Sequence, residues 1–224
     1  MVAYYTTPLE IVGKFAIISL GIGGAIFPEF AARFVRSPKE AESLYFRGMK
    51  YMMLALFPPV LIATAYAHEG LSIWLNPEFA RLGGPVVQWL AIAALLGGFR
   101  LIPYYFLMGA GRPKIAAIYD VLEFPLYAGL VYILLKTYGL QGAAIGCILR
   151  VAIGGSTYHF FSGRLLGFST SQHLKAILPL GAAISFLLVF HIPMHPLVKA
   201  FMVAGAVSLY LWLAWFYVLE KQDK

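Results

Sequence analysis

Ionisable residues inside long apolar runs are the side chains of this sequence with the clearest chemical consequences. Arg100 lies within Gly97-Gly-Phe-Arg-Leu-Ile-Pro103, and Arg150 within the run that also holds Cys147 and Gly154. An arginine facing hydrocarbon at such a position costs at least about 2.5–3.5 kcal/mol, so each must face protein or a water-filled cavity. Asp120 and Glu123 are three residues apart and share one helix face, with Tyr127 a turn further on. Two carboxylates so placed can hold an arginine, or take up protons or sodium. Glu10 and Lys14 are spaced for an i,i+4 ion pair, as are Glu29 and Arg33. His159, among the aromatics of Thr157-Tyr-His-Phe-Phe161, reads as a satisfied interior group. His191 and His195 flank Pro193 with no cysteine or carboxylate close by in sequence, which is too few ligands for a zinc site.

No Ser-His-Asp set, histidine-rich helix or phosphate-binding glycine loop is present, so neither an enzyme nor a cofactor or metal is expected. Cys147 stands alone, which excludes an intrachain disulfide and a cysteine-rich metal site.

The elements that position these residues follow from composition. Of 224 residues, 61% are hydrophobic and 12% charged, with a mean hydropathy of +0.78. A soluble domain carries about 25% charged residues. A chain this apolar is solvated by lipid, and its Leu-, Ala-, Ile- and Gly-rich runs without alternation predict helices rather than a barrel. The expected fold is therefore all-α, a polytopic transmembrane bundle in a single domain over residues 1–224. Seven spans are predicted, near 8–32, 46–67, 85–109, 114–136, 140–163, 173–192 and 196–218. Residues 33–50 form a charged connector in this reading, and 68–85 a mixed one. Gly142 and Gly146 have the GxxxG spacing of close helix contact, while Trp74, Trp212 and Trp215 fall near span ends or loops.

The net charge of +7 reads as topological rather than as a nucleic-acid footprint, because its basic residues alternate loop by loop. Arg33, Arg36, Lys39, Arg47 and Lys50 crowd the first connector, whereas the second holds Arg81. The positive-inside rule then sets the N-terminus outside and the C-terminus in the cytoplasm. An external start with an odd helix count predicts that further helices precede this segment in a longer protein.

Between residues 109 and 155 the order of short motifs becomes specific. Gly111-Arg-Pro113, Glu123-Phe-Pro-Leu-Tyr127, Tyr138-Gly-Leu-Gln-Gly-Ala-Ala-Ile145 and Leu149-Arg150 together resemble the polysaccharide (Wzx-type, O-antigen) flippases. That family belongs to the superfamily that includes MATE exporters and lipid II flippases. Tyr4-Tyr-Thr-Thr-Pro8 and Phe27-Pro-Glu-Phe30 look like the start and end of a helix just past the middle of such a protein. Gly154 stands where family members often carry an acidic residue, so no ion pair is carried over at that position.

The resemblance implies the C-terminal lobe of a MATE-like bundle plus additional C-terminal helices, around a cavity that opens alternately to the two sides. The implied cargo is an undecaprenyl-diphosphate-linked oligosaccharide, crossing the bacterial inner membrane for surface polysaccharide biosynthesis. Partners would be the lipid bilayer, an N-terminal lobe and polysaccharide assembly proteins. Arg100 and Arg150 become candidate diphosphate contacts, Lys14 a candidate at the cavity rim, and Asp120 and Glu123 candidates for ion coupling or for structural pairing. A MATE-like exporter, a lipid II flippase or a membrane-embedded transferase acting on lipid-linked sugars are the alternatives.

Overall fold

The computed structural model describes residues 3–192 and 194–214. The described residues form eight helices and no strand, so the expected all-α bundle is what the chain adopts. They are α1 (Ala3–Gly13), α2 (Ala16–Arg36), α3 (Pro38–Ala65), α4 (Ala67–Trp74), α5 (Pro77–Gly109), α6 (Pro113–Leu166), α7 (Thr170–Val189) and α8 (Pro196–Ala214). Five stretches are long and apolar enough to cross a membrane: residues 3–36, α3, α5, α6 and α7.

At 54 residues α6 would be about 80 Å long if straight, far more than one crossing needs. It is instead two arms joined at Gly139, whose φ of 60° and ψ of −144° are open to glycine at little cost. The arms, 113–138 and 140–166, pack tightly beyond the bend. A Cβ on Gly142 would stand 1.9 Å from the Leu134 carbonyl oxygen, and one on Gly146 would stand 3.0 Å from Val131. The GxxxG spacing therefore serves the contact between these arms. Gly142→Ala is expected to destabilise the hairpin by about 1–3 kcal/mol, since backbone must move. Gly129→Ala, where a Cβ meets nothing within 4 Å, is the control. A thermal unfolding midpoint for Gly142→Ala that matches this control would contradict the packing argument.

The expected connectors are largely helical. Of residues 33–50 only Ser37 is non-helical, because Pro38 at the first helical position restarts the helix at once. Residues 68–85 hold all but the first residue of α4 and the first turns of α5, where the Asn76 side chain accepts a hydrogen bond of 2.7 Å from the Phe79 amide. Charge there marks helix ends and exposed helical faces, which sequence alone reads as loop.

α5 packs against α1 to α4 and α6, and its Leu95, Ile102, Phe106 and Leu107 are fully buried. Gly98 lets α3 approach: a Cβ there would come within 2.1 Å of Leu56 Cδ1. The outer surface is apolar, with Val121, Phe124, Leu126 and Phe201 exposed. Those side chains are stable outward only in hydrocarbon, so the chain is a multi-pass membrane protein. At one end Lys199 of α8 donates to Glu69 of α4 at 2.5 Å. Burial pushes the Glu69 carboxyl up, but the hydrogen bond and charge of Lys199 outweigh it and leave the group below its ordinary range.

Candidate functional site

Four charged residues named from sequence meet where α5 crosses the two arms of α6. Arg100 lies nine residues before the end of α5 and Glu123 ten after the start of α6. Each is thus about 15 Å along its helix from the 110–112 turn, well inside an apolar span. Both terminal nitrogens of Arg100 reach Glu123, Nη1 donating to Oε1 at 3.2 Å and Nη2 to Oε2 at 3.1 Å. Nη2 also donates to Asp120 Oδ1 at 2.9 Å. Arg150 contributes a second, longer pair, its Nε 3.4 Å from Glu123 Oε2.

Three tyrosines enclose these charges. The Tyr158 hydroxyl donates to Asp120 at 2.5 Å, and its ring lies beneath the Arg100 guanidinium at 5.1 Å. Tyr119 donates to Glu123 at 3.4 Å, and Arg150 sits over the Tyr127 ring at 4.7 Å. Arg150, Gly154 and Tyr158 recur every four residues and so line one face of the 140–166 arm. Gly154 is part of the site for a steric reason. A Cβ there would stand 2.8 Å from Arg100 Cζ, so the missing side chain leaves the space that the guanidinium fills.

Two arginines and two carboxylates leave the site formally neutral. Its members differ in access, however: side-chain exposure is 7% for Glu123 and 15% for Arg100, but 43% for Arg150 and 48% for Asp120. One arginine and one carboxylate form the closed side, and the other two face outward from the bundle. Beside the site, a cavity of 230 Å³ between α5, α6 and α7 is lined by Arg100, Ser156, His159 and apolar side chains.

Lys14 is not brought into this network. The helix breaks after Gly13, with i→i−3 bonds from Lys14 to Ile11 and from Phe15 to Val12. That break also removes the register for the expected Glu10–Lys14 pair, which is absent from the ion pairs of the described residues. The Glu29–Arg33 pair is present at 2.8 Å. Of Tyr104-Tyr-Phe106, Phe106 is core and Tyr104 packs on Tyr158, at the edge of the site. His191 packs against Trp89 with ring centres 4.2 Å apart and the rings tilted. Pro193 and Trp215 lie outside the described residues. Among the described residues no group of three or more His, Cys, Asp or Glu side chains is arranged to hold a metal ion.

Sequence reasoning passed over Tyr119 and also Tyr158. The signal for Tyr158 was the spacing of four from Gly154 and eight from Arg150, which places it on the arginine-bearing face.

No protein-family model and no solved structure matches the chain. It is similar to a Shigella flexneri protein named "Putative O-antigen transporter", 29% identical over 152 residues, covering 68% of this chain and 36% of that protein. It is also similar to an uncharacterized membrane protein of Methanocaldococcus jannaschii, 25% identical over 166 residues, covering 73% of this chain and 32% of the relative. The chain thus spans about a third of the length of the curated relatives it matches.

Proposed function

We propose that this chain is a lobe of a flippase that moves a polyprenyl-diphosphate-linked oligosaccharide, with undecaprenol as the lipid, across a bacterial inner membrane for surface polysaccharide synthesis. The observation that carries this reading is the neutral Arg100–Asp120–Glu123–Arg150 cluster at membrane depth, open to one side through Arg150 and Asp120. The likeness to the Shigella protein and the motif order between residues 109 and 155 support it. We take the fold to be that shared by MATE exporters and lipid-linked glycan flippases, with a second lobe forming the opposite cavity wall.

Moving such a cargo breaks no covalent bond. The task is to replace the hydration of a diphosphate while the lipid tail stays in hydrocarbon. A guanidinium suits the purpose because its fork matches two phosphate oxygens. Arg150 meets the anion first, since its pair to Glu123 is the longer one and its side chain is the more exposed. In the resting site both positive charges are already answered by carboxylates. Uptake of a proton or sodium ion at Asp120, the exposed carboxylate, releases arginine charge for the diphosphate. Loss of that ion restores the internal pairs and expels the anion. Cargo binding and ion binding thereby promote one another at the same four side chains. With their carboxylates engaged by arginine, these residues are arranged for binding rather than for acid–base catalysis.

The experiment is leaflet-resolved labelling of the lipid-linked glycan in cells lacking the gene. Glycan confined to the inner leaflet is the expected result; undiminished delivery to the outer leaflet would refute the assignment.

A further inference from the structure

A second polar network borders the same 230 Å³ cavity through His159, and among the described residues no hydrogen bond or ion pair joins it to the four charged residues of the first. Tyr45 of α3, His159 of α6 and His173 of α7 form a continuous hydrogen-bonded chain. The Tyr45 hydroxyl lies 2.7 Å from His159 Nδ1, and His159 Nε2 lies 3.0 Å from His173 Nδ1. Tyr45 is fully buried and His159 is 7% exposed, while His173 is partly open near the 167–169 turn. His173 reaches this position because Gly163, four residues after His159, has no side chain. A Cβ there would come 2.5 Å from His173 Cε1. The other neighbours are rings: Phe168 packs on all three residues of the chain.

We propose that His159 and His173 form a proton-binding site, loaded through His173 from this end of the bundle and presented by His159 to the cavity that Arg100 also lines. The gap between His159 Nε2 and His173 Nδ1 accommodates one proton, donated by one ring and accepted by the other. A proton arriving on His173 Nε2 lets the proton on His173 Nδ1 pass to His159 Nε2. His173 is then neutral again, and His159 is an imidazolium donating Nδ1–H to Tyr45 and Nε2–H to His173. A second proton has no place, because both facing nitrogens would carry hydrogen across 3.0 Å. The pair therefore has room for one added proton, not two.

The surrounding charges do not supply another acceptor. Glu42 of α3 accepts from Gln172 of α7, and Arg164 of α6 lies over the Phe160 ring. Lys50 of α3 and Lys175 of α7 line a neighbouring cleft, α2 presents Phe30 to Tyr45, and α5 contributes Arg100 across the cavity. Among the described residues no carboxylate lies within ion-pair distance of either ring. The cavity is large enough for several waters at about 30 Å³ each, with Ser156, Arg100 and His159 as polar partners.

The test is a pH titration of the full chain, labelled with 15N-histidine in lipid bilayers and followed by imidazole nitrogen shifts. Exposed His68 and His195 serve as internal references for the nitrogen shifts. The expected result is one proton shared by His159 and His173, with a scalar coupling across their hydrogen bond. In His173→Phe that coupling disappears and His159 no longer takes up a proton. Two protons taken up by the pair, no proton taken up at all, or no coupling between the rings in the wild-type chain, would overturn the proposal. The wild-type titration decides it even where the variant fails to fold, and its outcome does not depend on the identity of the cargo.

Discussion

Glu123→Ala is expected to destabilise the protein by about 3 kcal/mol, because it removes the one buried carboxylate that two arginines share. Glu123 is 7% exposed and receives both terminal nitrogens of Arg100 as well as Nε of Arg150. Removing one member of a buried pair typically costs about 3–5 kcal/mol, and the lower end applies here because Asp120 still holds Arg100. The double variant Arg100→Leu with Glu123→Ala leaves Asp120 and Arg150, one charge of each sign. Its loss should be smaller than the sum of the two single losses, as expected for residues in one network. Thermal unfolding in detergent or bilayer measures all three. Strict additivity would mean that the cluster is not one energetic unit.

Arg150→Ala is expected to weaken binding of a polyprenyl-diphosphate amphiphile by about ten- to a hundredfold, which corresponds to losing a charge-assisted contact of about 1.5–3 kcal/mol. Its effect on stability should be small by comparison, since Arg150 is 43% exposed and its pair with Glu123 is 3.4 Å long. On the proposed function that split separates the two arginines, with Arg100 as structural partner of the carboxylates and Arg150 as the proposed ligand contact. Arg150→Lys keeps the charge but not the fork, and should recover only part of the affinity. The control is Lys136→Ala, where an exposed lysine lies over the Tyr132 ring away from the cluster. Titration of the purified variants with the amphiphile gives the comparison, and equal affinities for Arg150→Ala and Lys136→Ala would remove Arg150 from the binding site.

Much of this site is legible in the sequence, because an ionisable residue in an apolar run has few stable fates. Arg100, Asp120, Glu123 and Arg150 stand out on that ground, and the spacing of Asp120 and Glu123 already puts them on one face. The tyrosines did not stand out, since Tyr119 and Tyr158 belong to an aromatic-rich background in which packing explains any single ring. Gly154 looked like a missing acid until its neighbour was visible: the space it leaves is filled by Arg100 from another helix. The expected Glu10–Lys14 pair is missing from the described residues for the opposite reason. The i,i+4 spacing of Lys14 from Glu10 presumes a continuous helix, and the chain breaks between them. The Tyr45–His159–His173 chain joins residues 114 and 14 positions apart on three helices, and no local pattern announces it. Charged segments such as residues 33–50 read as loops because hydropathy reports solvent rather than backbone conformation.

The most direct test of the central claim is outer-leaflet delivery of the lipid-linked glycan in deletion cells that express wild type, Arg150→Ala or Lys136→Ala at matched membrane levels. Delivery restored by wild type and by Lys136→Ala, but lost with Arg150→Ala, is the predicted result. Equal delivery by all three would contradict a role for the charged cluster in moving the diphosphate.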